Sequence, residues 1–94
     1  MPAFVIVEVD ILDQDQYKAY TKVSPDTLKP FGGEFVIRGN PIEVLEGEWN
    51  HDRMVMLKFP DADSARNWYN SEAYQKARQI RSKASKAKFL LIEI

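Results

Sequence analysis

Two arginines, Arg38 and Arg53, flank a central segment of the chain that also carries Glu46 and Trp49. A guanidinium group binds carboxylates and phosphates through two parallel hydrogen bonds, and ligand sites combine an apolar lining with a few converging polar groups. We therefore expect a small organic acid or other anion to bind beside Arg38 and Arg53, with Trp49 as an apolar wall. The alternative is that both arginines form ordinary salt bridges with nearby glutamates.

Aromatic side chains cluster further along the chain, around a predicted break between two helices. We expect Trp68 and Tyr74 to lie beside the same site, and Tyr17 and Tyr20 could direct hydroxyl groups into it. Aromatic residues at helical spacing also pack in cores, and that interpretation stays open. The candidate ligand-binding residues are Arg38, Glu46, Trp49, Arg53, Trp68 and Tyr74.

His51 is the only histidine of the chain. Its imidazole titrates near neutrality and could act as a general base. Its position in a predicted turn indicates exposure to solvent, and no second ligand residue is nearby, so we expect a structural or incidental role. Because the chain has no cysteine, a disulfide, a thiol nucleophile and a thiolate metal site are excluded. We expect no metal and no cofactor, and we assign no catalytic residue.

The composition is that of one small globular domain, residues 1–94. Hydrophobic residues make up 45% of the chain and charged residues 29%, and the net charge is −1. This charge argues against a protein dedicated to nucleic acids or membrane surfaces. Residues 75–88 carry six basic residues and no acid, which we interpret as a solvated helix face. The apolar run at the N-terminus is too short for a signal peptide or a membrane span, so we expect a cytoplasmic protein.

The predicted elements follow one another as strand, helix, strand, strand, helix, strand. Asp13, Asp61 and Ser71 are typical helix caps, and the first helix is expected to restart or kink at Pro25 and to end before Gly32. This βαββαβ order predicts a ferredoxin-like α+β sandwich, in which the helices cover one face of an antiparallel sheet. The strands are expected at 3–9, 34–38, 53–59 and 88–94, with 42–46 continuing the second strand or pairing with it.

Side chains alternate between the two faces of a sheet, and both faces of this one are largely apolar. Monomers rarely expose an apolar patch of that size, so we expect an identical sheet to cover the open face and form a homodimer. Charged residues on the open face would pair across the dimer or line a wet cavity. The face expected under the helices is Val5, Val7, Val9, Val55, Leu57, Phe59, Leu90, Ile92 and Ile94, and the open face is Phe4, Ile6, Glu8, Met54, Met56, Lys58, Phe89, Leu91 and Glu93.

Three strings resemble the small bacterial family called domain of unknown function 1330: "GGEFVIRG", "VLEGEW" and "R.V.L.FPD...A..WYNS..Y". The resemblance covers nearly the whole chain and implies the dimeric α+β barrel superfamily, in which ferredoxin-like units pair. Some relatives in that superfamily bind haem, which would make His51 a candidate haem ligand. Family members commonly have a proline-containing turn where this chain has Asn50 and His51. That departure argues against a shared catalytic role for His51.

Two functions remain open from the sequence. The first is an enzyme or enzyme-like binder that acts on a compact organic acid without a cofactor, as the resemblance implies for related barrels. The second is a non-catalytic binding or interaction module whose cavity is only a packed core. The feature that separates them is the pocket near Arg38 and Arg53, which is either open and electropositive or closed by their own salt bridges.

Overall fold

A four-stranded antiparallel sheet with helices packed on one face forms the fold, and the computed structural model describes residues 1–94. The strands lie in the order β2-β3-β1-β4, with every neighbouring pair antiparallel. This is the predicted ferredoxin-like α+β sandwich. The elements are β1 (Ala3–Ile11), α1 (Gln14–Leu28), β2 (Glu34–Arg38), β3 (Arg53–Phe59), α2 (Ala62–Tyr69), α3 (Glu72–Ala84) and β4 (Ser85–Glu93), with a short 3-10 turn (Lys29–Phe31) after α1.

The three helices begin at the residues that the sequence predicts. Asp13, Asp61 and Ser71 each adopt extended backbone angles and accept a hydrogen bond from the first turn of the helix that follows. Such caps satisfy a backbone N–H that has no partner inside the helix. The expected end of the first helical stretch is also confirmed, since the 3-10 turn closes on Gly32 in the left-handed conformation.

The core fills the space between the sheet and the helices. Trp68 lies at its centre, almost fully buried, and donates a hydrogen bond from Nε1 to the hydroxyl of Thr27 at 3.0 Å. The predicted inner faces of β1 and β3 are confirmed, because their residues alternate between buried and partly exposed positions. The buried cluster is Val5, Val7, Val9, Tyr17, Tyr20, Leu28, Val55, Leu57, Phe59, Ala65, Trp68, Tyr74, Ala77 and Ala84.

The predicted faces of β4 are wrong by one residue. Phe89 lies opposite Val7 and therefore faces the helices, whereas Leu90 lies opposite Ile6 and belongs to the open face. Glu93 lies opposite Ala3, on the helix side, and does not interrupt the open face. The residues from Phe89 to Ile92 are apolar at every position. This stretch therefore has no alternation of apolar and polar residues that would predict which residues face the helices. The apolar residues of the open face are Phe4, Ile6, Ile37, Met54, Met56, Leu90 and Ile92.

The strand expected at 42–46 does not form in this chain. Residues 40–50, called here the connecting segment, run from β2 to β3 without regular secondary structure. Gly39, with a φ of 71°, follows the last residue of β2, and the outer edge of β2 stays unpaired because β2 pairs with β3 alone. Ile42, Val44 and Leu45 are consequently exposed to solvent.

Candidate functional site

A cavity of about 30 Å³ lies between the sheet and the helices, where β2 ends and β3 begins. Its lining is mainly apolar, with no carboxylate and no imidazole, but it includes the three arginines Arg38, Arg53 and Arg81. A space of this size holds a water molecule or two, or the acidic group of a small ligand. The arrangement is therefore an apolar cavity with three cationic groups directed at it.

Strand register brings two of the three arginines to the cavity. Arg38 lies opposite Val55 and Arg53 lies opposite Val9, and both valines face the helices. The arginine side chains therefore lie on the helix side of the sheet, as two of the predicted site residues. Arg81 reaches the same cavity from α3, in the helical layer, and only 6% of its surface is exposed.

Arg38 is held at the cavity by a carbonyl group that a proline leaves free. Pro25 lies inside α1 and has no N–H to donate to the carbonyl of Thr21, four residues earlier. The Nη2 of Arg38 donates to that carbonyl at 2.8 Å. The guanidinium carbon also lies 4.4 Å from the centre of the Phe35 ring. The expected restart of the helix at Pro25 is not seen, and α1 continues through it as one element.

Arg53 packs against a glycine and a tyrosine. Gly39 has a φ of 71°, and a Cβ atom at this position would lie 2.7 Å from Nη1 of Arg53, so glycine suits both the turn and the contact. The guanidinium carbon lies 5.5 Å from the centre of the Tyr17 ring. Its Nε is buried and has no hydrogen-bond partner.

Arg81 is the most buried of the three arginines. Its guanidinium carbon lies 4.6 Å from the centre of the Phe89 ring, and its Nε is also buried without a hydrogen-bond partner. Every ion pair of the chain involves other residues, so no carboxylate balances Arg38, Arg53 or Arg81. Buried charges are costly when they lack a partner. The cavity is therefore electropositive and is not closed by internal salt bridges.

Tyrosine hydroxyl groups are the only acid–base groups of the lining besides the arginines. Burial raises the pKa of Tyr17, although the nearby Arg53, Arg81 and Arg38 charges oppose that shift. Burial also raises the pKa of Tyr20, whose hydroxyl lies 2.9 Å from the hydroxyl of Tyr74. These hydroxyl groups therefore keep their protons at neutral pH and can donate hydrogen bonds.

The structure brings together only some of the predicted site residues. Trp68 lines the cavity with Arg38 and Arg53, and Tyr74 lies behind it, with its ring centre 4.2 Å from that of Trp68. Glu46 and Trp49 are not at the cavity. Glu46 is exposed in the connecting segment, and the expectation that a tight turn holds it and Trp49 beside Arg53 is wrong, since the segment does not form a hairpin with β3.

His51 lies on the opposite side of the sheet from the cavity. Its Nε2 is 3.2 Å from Glu8 and its Nδ1 is 3.4 Å from Asp10, and the ring of Trp49 packs against it at 4.9 Å. The expected exposure to solvent is therefore wrong, because these contacts leave His51 partly buried. They attach the end of the connecting segment to β1. No group of three or more potential metal ligands has the geometry of a metal site.

Arg81 is the site residue that the sequence interpretation missed. It lies within the basic stretch 75–88, whose composition favours a solvated face. The residues of α3 that are buried are Tyr74, Ala77, Arg81 and Ala84, at the three- and four-residue spacing of one helical face. An arginine on that otherwise apolar stripe is the signal that distinguishes it from its exposed neighbours.

Comparison with other proteins identifies the family of this chain. The family model described as "Domain of unknown function (DUF1330)" matches residues 2–94. A search of curated protein sequences gives no match.

None of the helices combines the length and hydropathy needed to cross a membrane.

Solved structures resemble the whole chain at low sequence identity, which shows the fold alone. A protein of unknown function from Rhodopseudomonas palustris is 18% identical with a TM-score of 0.74, over 99% of this chain and 82% of that one. A dimeric ferredoxin-like protein of unknown function from Jannaschia sp. CCS1 is 13% identical with a TM-score of 0.78, over 100% of both chains. SnoaB, a cofactor-independent oxygenase from Streptomyces nogalater, is 11% identical with a TM-score of 0.68, over 99% of this chain and 92% of that one.

The buried hydroxyl pair predicts a specific dependence of stability on pH. Tyrosines of the unfolded chain lose their protons near pH 10, whereas burial raises the pKa of Tyr20 and Tyr74 in the folded protein. The unfolded state then binds fewer protons, so the free energy of unfolding falls as the pH rises above about 10. Tyr20→Phe should lower stability at neutral pH by about 1–2 kcal/mol. The free energy of unfolding of this variant should also fall less steeply with rising pH than that of the wild type, because one of the two buried hydroxyl groups is absent.

Urea unfolding of both proteins between about pH 8 and pH 11 measures this difference. Parallel stability curves for the wild type and Tyr20→Phe would contradict the assigned role of the buried hydroxyl group.

Proposed function

This chain belongs to the DUF1330 family, and we propose that it binds the acidic group of a small organic anion in the cavity lined by Arg38, Arg53 and Arg81. One observation carries the proposal: three guanidinium groups line one largely apolar cavity, and no carboxylate of the chain neutralises any of them. An anion would supply the missing charge.

The unsatisfied donors indicate where that anion would bind. The Nε atoms of Arg53 and Arg81 are buried without partners, so a ligand that accepts hydrogen bonds there recovers part of their desolvation cost. Hydrogen bonds between charged groups are the stronger kind, and a guanidinium can bind both oxygens of a carboxylate at once. The neutral Tyr17 hydroxyl adds a further donor to the same lining.

The size of the cavity limits the ligand to a small acidic group with a compact body. The volume of about 30 Å³ accommodates a carboxylate or a phosphate but not a ring system in addition. Arg38 is exposed, whereas Arg81 is buried, so the entrance lies on the Arg38 side. A compact organic acid would therefore place its acidic group toward Arg53 and Arg81 and leave its body near Arg38 and Phe35.

We propose that the cavity binds a small anion, and we assign no reaction to it. SnoaB shares the fold and is described as a cofactor-independent oxygenase, which supports the view that this architecture can support chemistry without a cofactor. In this chain the cavity has no carboxylate or imidazole to serve as a base, and only tyrosine hydroxyl groups are at hand. The competing function is a non-catalytic interaction module, for which the cavity would bind nothing.

Replacing Arg81 separates a binding role from an architectural one. Arg81→Met keeps most of the side-chain length and removes a buried, unbalanced charge, so it should leave the unliganded protein at least as stable as the wild type. It should also remove the rise in melting temperature that acetate or inorganic phosphate gives to the wild type. Thermal unfolding with acetate, phosphate and the neutral analogue acetamide measures both effects, with chloride at equal ionic strength as the salt control.

Arg66→Met is the matched control, because Arg66 is exposed, pairs with Asp63 at 2.9 Å and does not line the cavity. It should keep the full anion response. A strongly destabilised Arg81→Met with an unchanged anion response would assign Arg81 to architecture. A wild type that gains nothing from acetate or phosphate beyond the chloride control would favour the non-catalytic module.

We also propose that the chain forms a homodimer through its open sheet face. Seven apolar side chains lie on that face with no layer of this chain over them, and Leu90 and Ile92 are about half exposed. Such a patch is characteristic of an interface. The Jannaschia structure, which has the same fold, is described as dimeric. The interface differs from the one expected from sequence in two ways: Leu90 and Ile92 replace Phe89 and Leu91, and Ile37 joins the face.

Met56→Glu tests the dimer, since Met56 lies opposite Ile6 in the middle of the open face. An unpaired carboxylate in that interface should weaken dimerisation by roughly 100-fold or more. Sedimentation velocity should show a dimer for the wild type and a monomer for the variant at the same concentration. Gln79→Glu adds the same charge to an exposed position of α3 and should remain dimeric. A monomeric wild type at micromolar concentration would contradict the interface.

A further inference from the structure

The connecting segment (residues 40–50) has the sequence of a strand but no partner strand in its own chain. Ile42 and Val44 favour β-structure, and Leu45 is 90% exposed. No backbone–backbone hydrogen bond outside the regular elements involves residues 40–50. Exposed apolar side chains and unpaired backbone groups together indicate a segment that pairs with another chain.

The outer edge of β4 also lacks a partner strand. In the sheet order β4 pairs with β1 alone, so the opposite edge of its nine residues has no partner strand. A groove of about 560 Å³ lies beside this strand, between it and the helices α2 and α3. Phe89, Leu90 and Leu91 contribute apolar surface to the groove. An added strand would pair with the edge and cover that surface.

The charges of the two surfaces are complementary. The connecting segment carries Glu43, Glu46 and Glu48 and no basic residue, and none of these glutamates has an ion-pair partner. Strand β4 carries Lys86 and Lys88, which are exposed and unpaired as well. The groove beside β4 adds the basic side chains of Arg66, Arg78 and Arg81.

The geometry of the proposed dimer supports the same pairing. Strand β2 is antiparallel to β3, and β3 and β4 are both antiparallel to β1, so β2 and β4 run in opposite directions. If the open faces pack around a two-fold axis along the strands, the β2 edge of one copy lies beside the β4 edge of the other. The connecting segment follows β2 directly, so it begins beside the β4 edge of the second copy.

We infer that residues 42–46 of each copy form a fifth strand on the outer edge of β4 in a second copy of this chain. The inference rests on the proposed dimer and adds an exchanged segment to it. Trp68, Arg81 and Phe89 line both the groove and the arginine cavity. The exchanged segment therefore covers the outer wall of the other copy's anion site, and each site is complete only in the dimer.

Hydrogen exchange of the full-length protein tests the inference. In the wild type, the backbone N–H groups of β4 that do not bond to β1 should exchange slowly, although they lie on an edge strand. Val44→Pro removes a backbone donor from the exchanged strand and should speed their exchange by roughly tenfold or more while β1 stays protected. Val44→Thr keeps the donor and the β-branched shape, and should keep the wild-type exchange rates.

Sedimentation velocity of the same three samples separates the two proposals. A wild-type dimer whose outer β4 N–H groups exchange at solvent-exposed rates overturns the exchanged strand and leaves the sheet-face dimer standing. Unchanged exchange in Val44→Pro also overturns it. A monomeric wild type overturns the sheet-face dimer and the exchanged strand together. Slow exchange in the wild-type dimer that Val44→Pro alone abolishes supports the inference.

Discussion

The register of the antiparallel strands is the constraint on which the site depends. Helices cover only one face of the sheet, so every strand residue lies either in the core with the cavity or on the open face. Arg53 lies opposite Val9, and Arg38 lies opposite Val55, which sends both side chains toward the helices. A slip of one residue would turn them to the open face and leave the cavity without two of its charges. The buried valines fix the register, and the register places the arginines.

Charge is distributed unevenly over the molecule as a result. The chain as a whole has a net charge of −1, yet the cavity collects three guanidinium groups and no carboxylate. The acidic residues lie elsewhere, with Glu8 and Asp10 around His51 on the open side and the glutamates of the connecting segment in solvent. Pro25 in α1 also contributes to the site, because it leaves the Thr21 carbonyl free to accept a hydrogen bond from Arg38. An anion in the cavity and a second chain along β4 would satisfy two groups of polar atoms that this chain leaves unpaired.

Local patterns in the sequence predicted most of the fold, because strand alternation and helix caps depend on near neighbours. They failed at β4, where an unbroken apolar run carries no alternation, and at 42–46, where strand-forming residues have no partner within the chain. The site was predicted in part: Arg38, Arg53 and Trp68 line one cavity, while Trp49 packs on His51 across the sheet. The path of the loop determines on which side of the sheet Trp49 lies, and the spacing of a few residues does not predict that path. Arg81 was missed because the basic character of its stretch concealed its place on the buried face of α3.

The most direct measurement follows the arginine side chains themselves by nuclear magnetic resonance. The Nε–Hε signals of Arg53 and Arg81 report on two donors that are buried and have no partner within the chain. Titration with acetate should shift both signals along one saturable curve, while the signal of the exposed, Asp63-paired Arg66 stays in place. If the Arg53 and Arg81 signals do not move, or if all arginine signals drift together without saturation, the cavity does not bind anions.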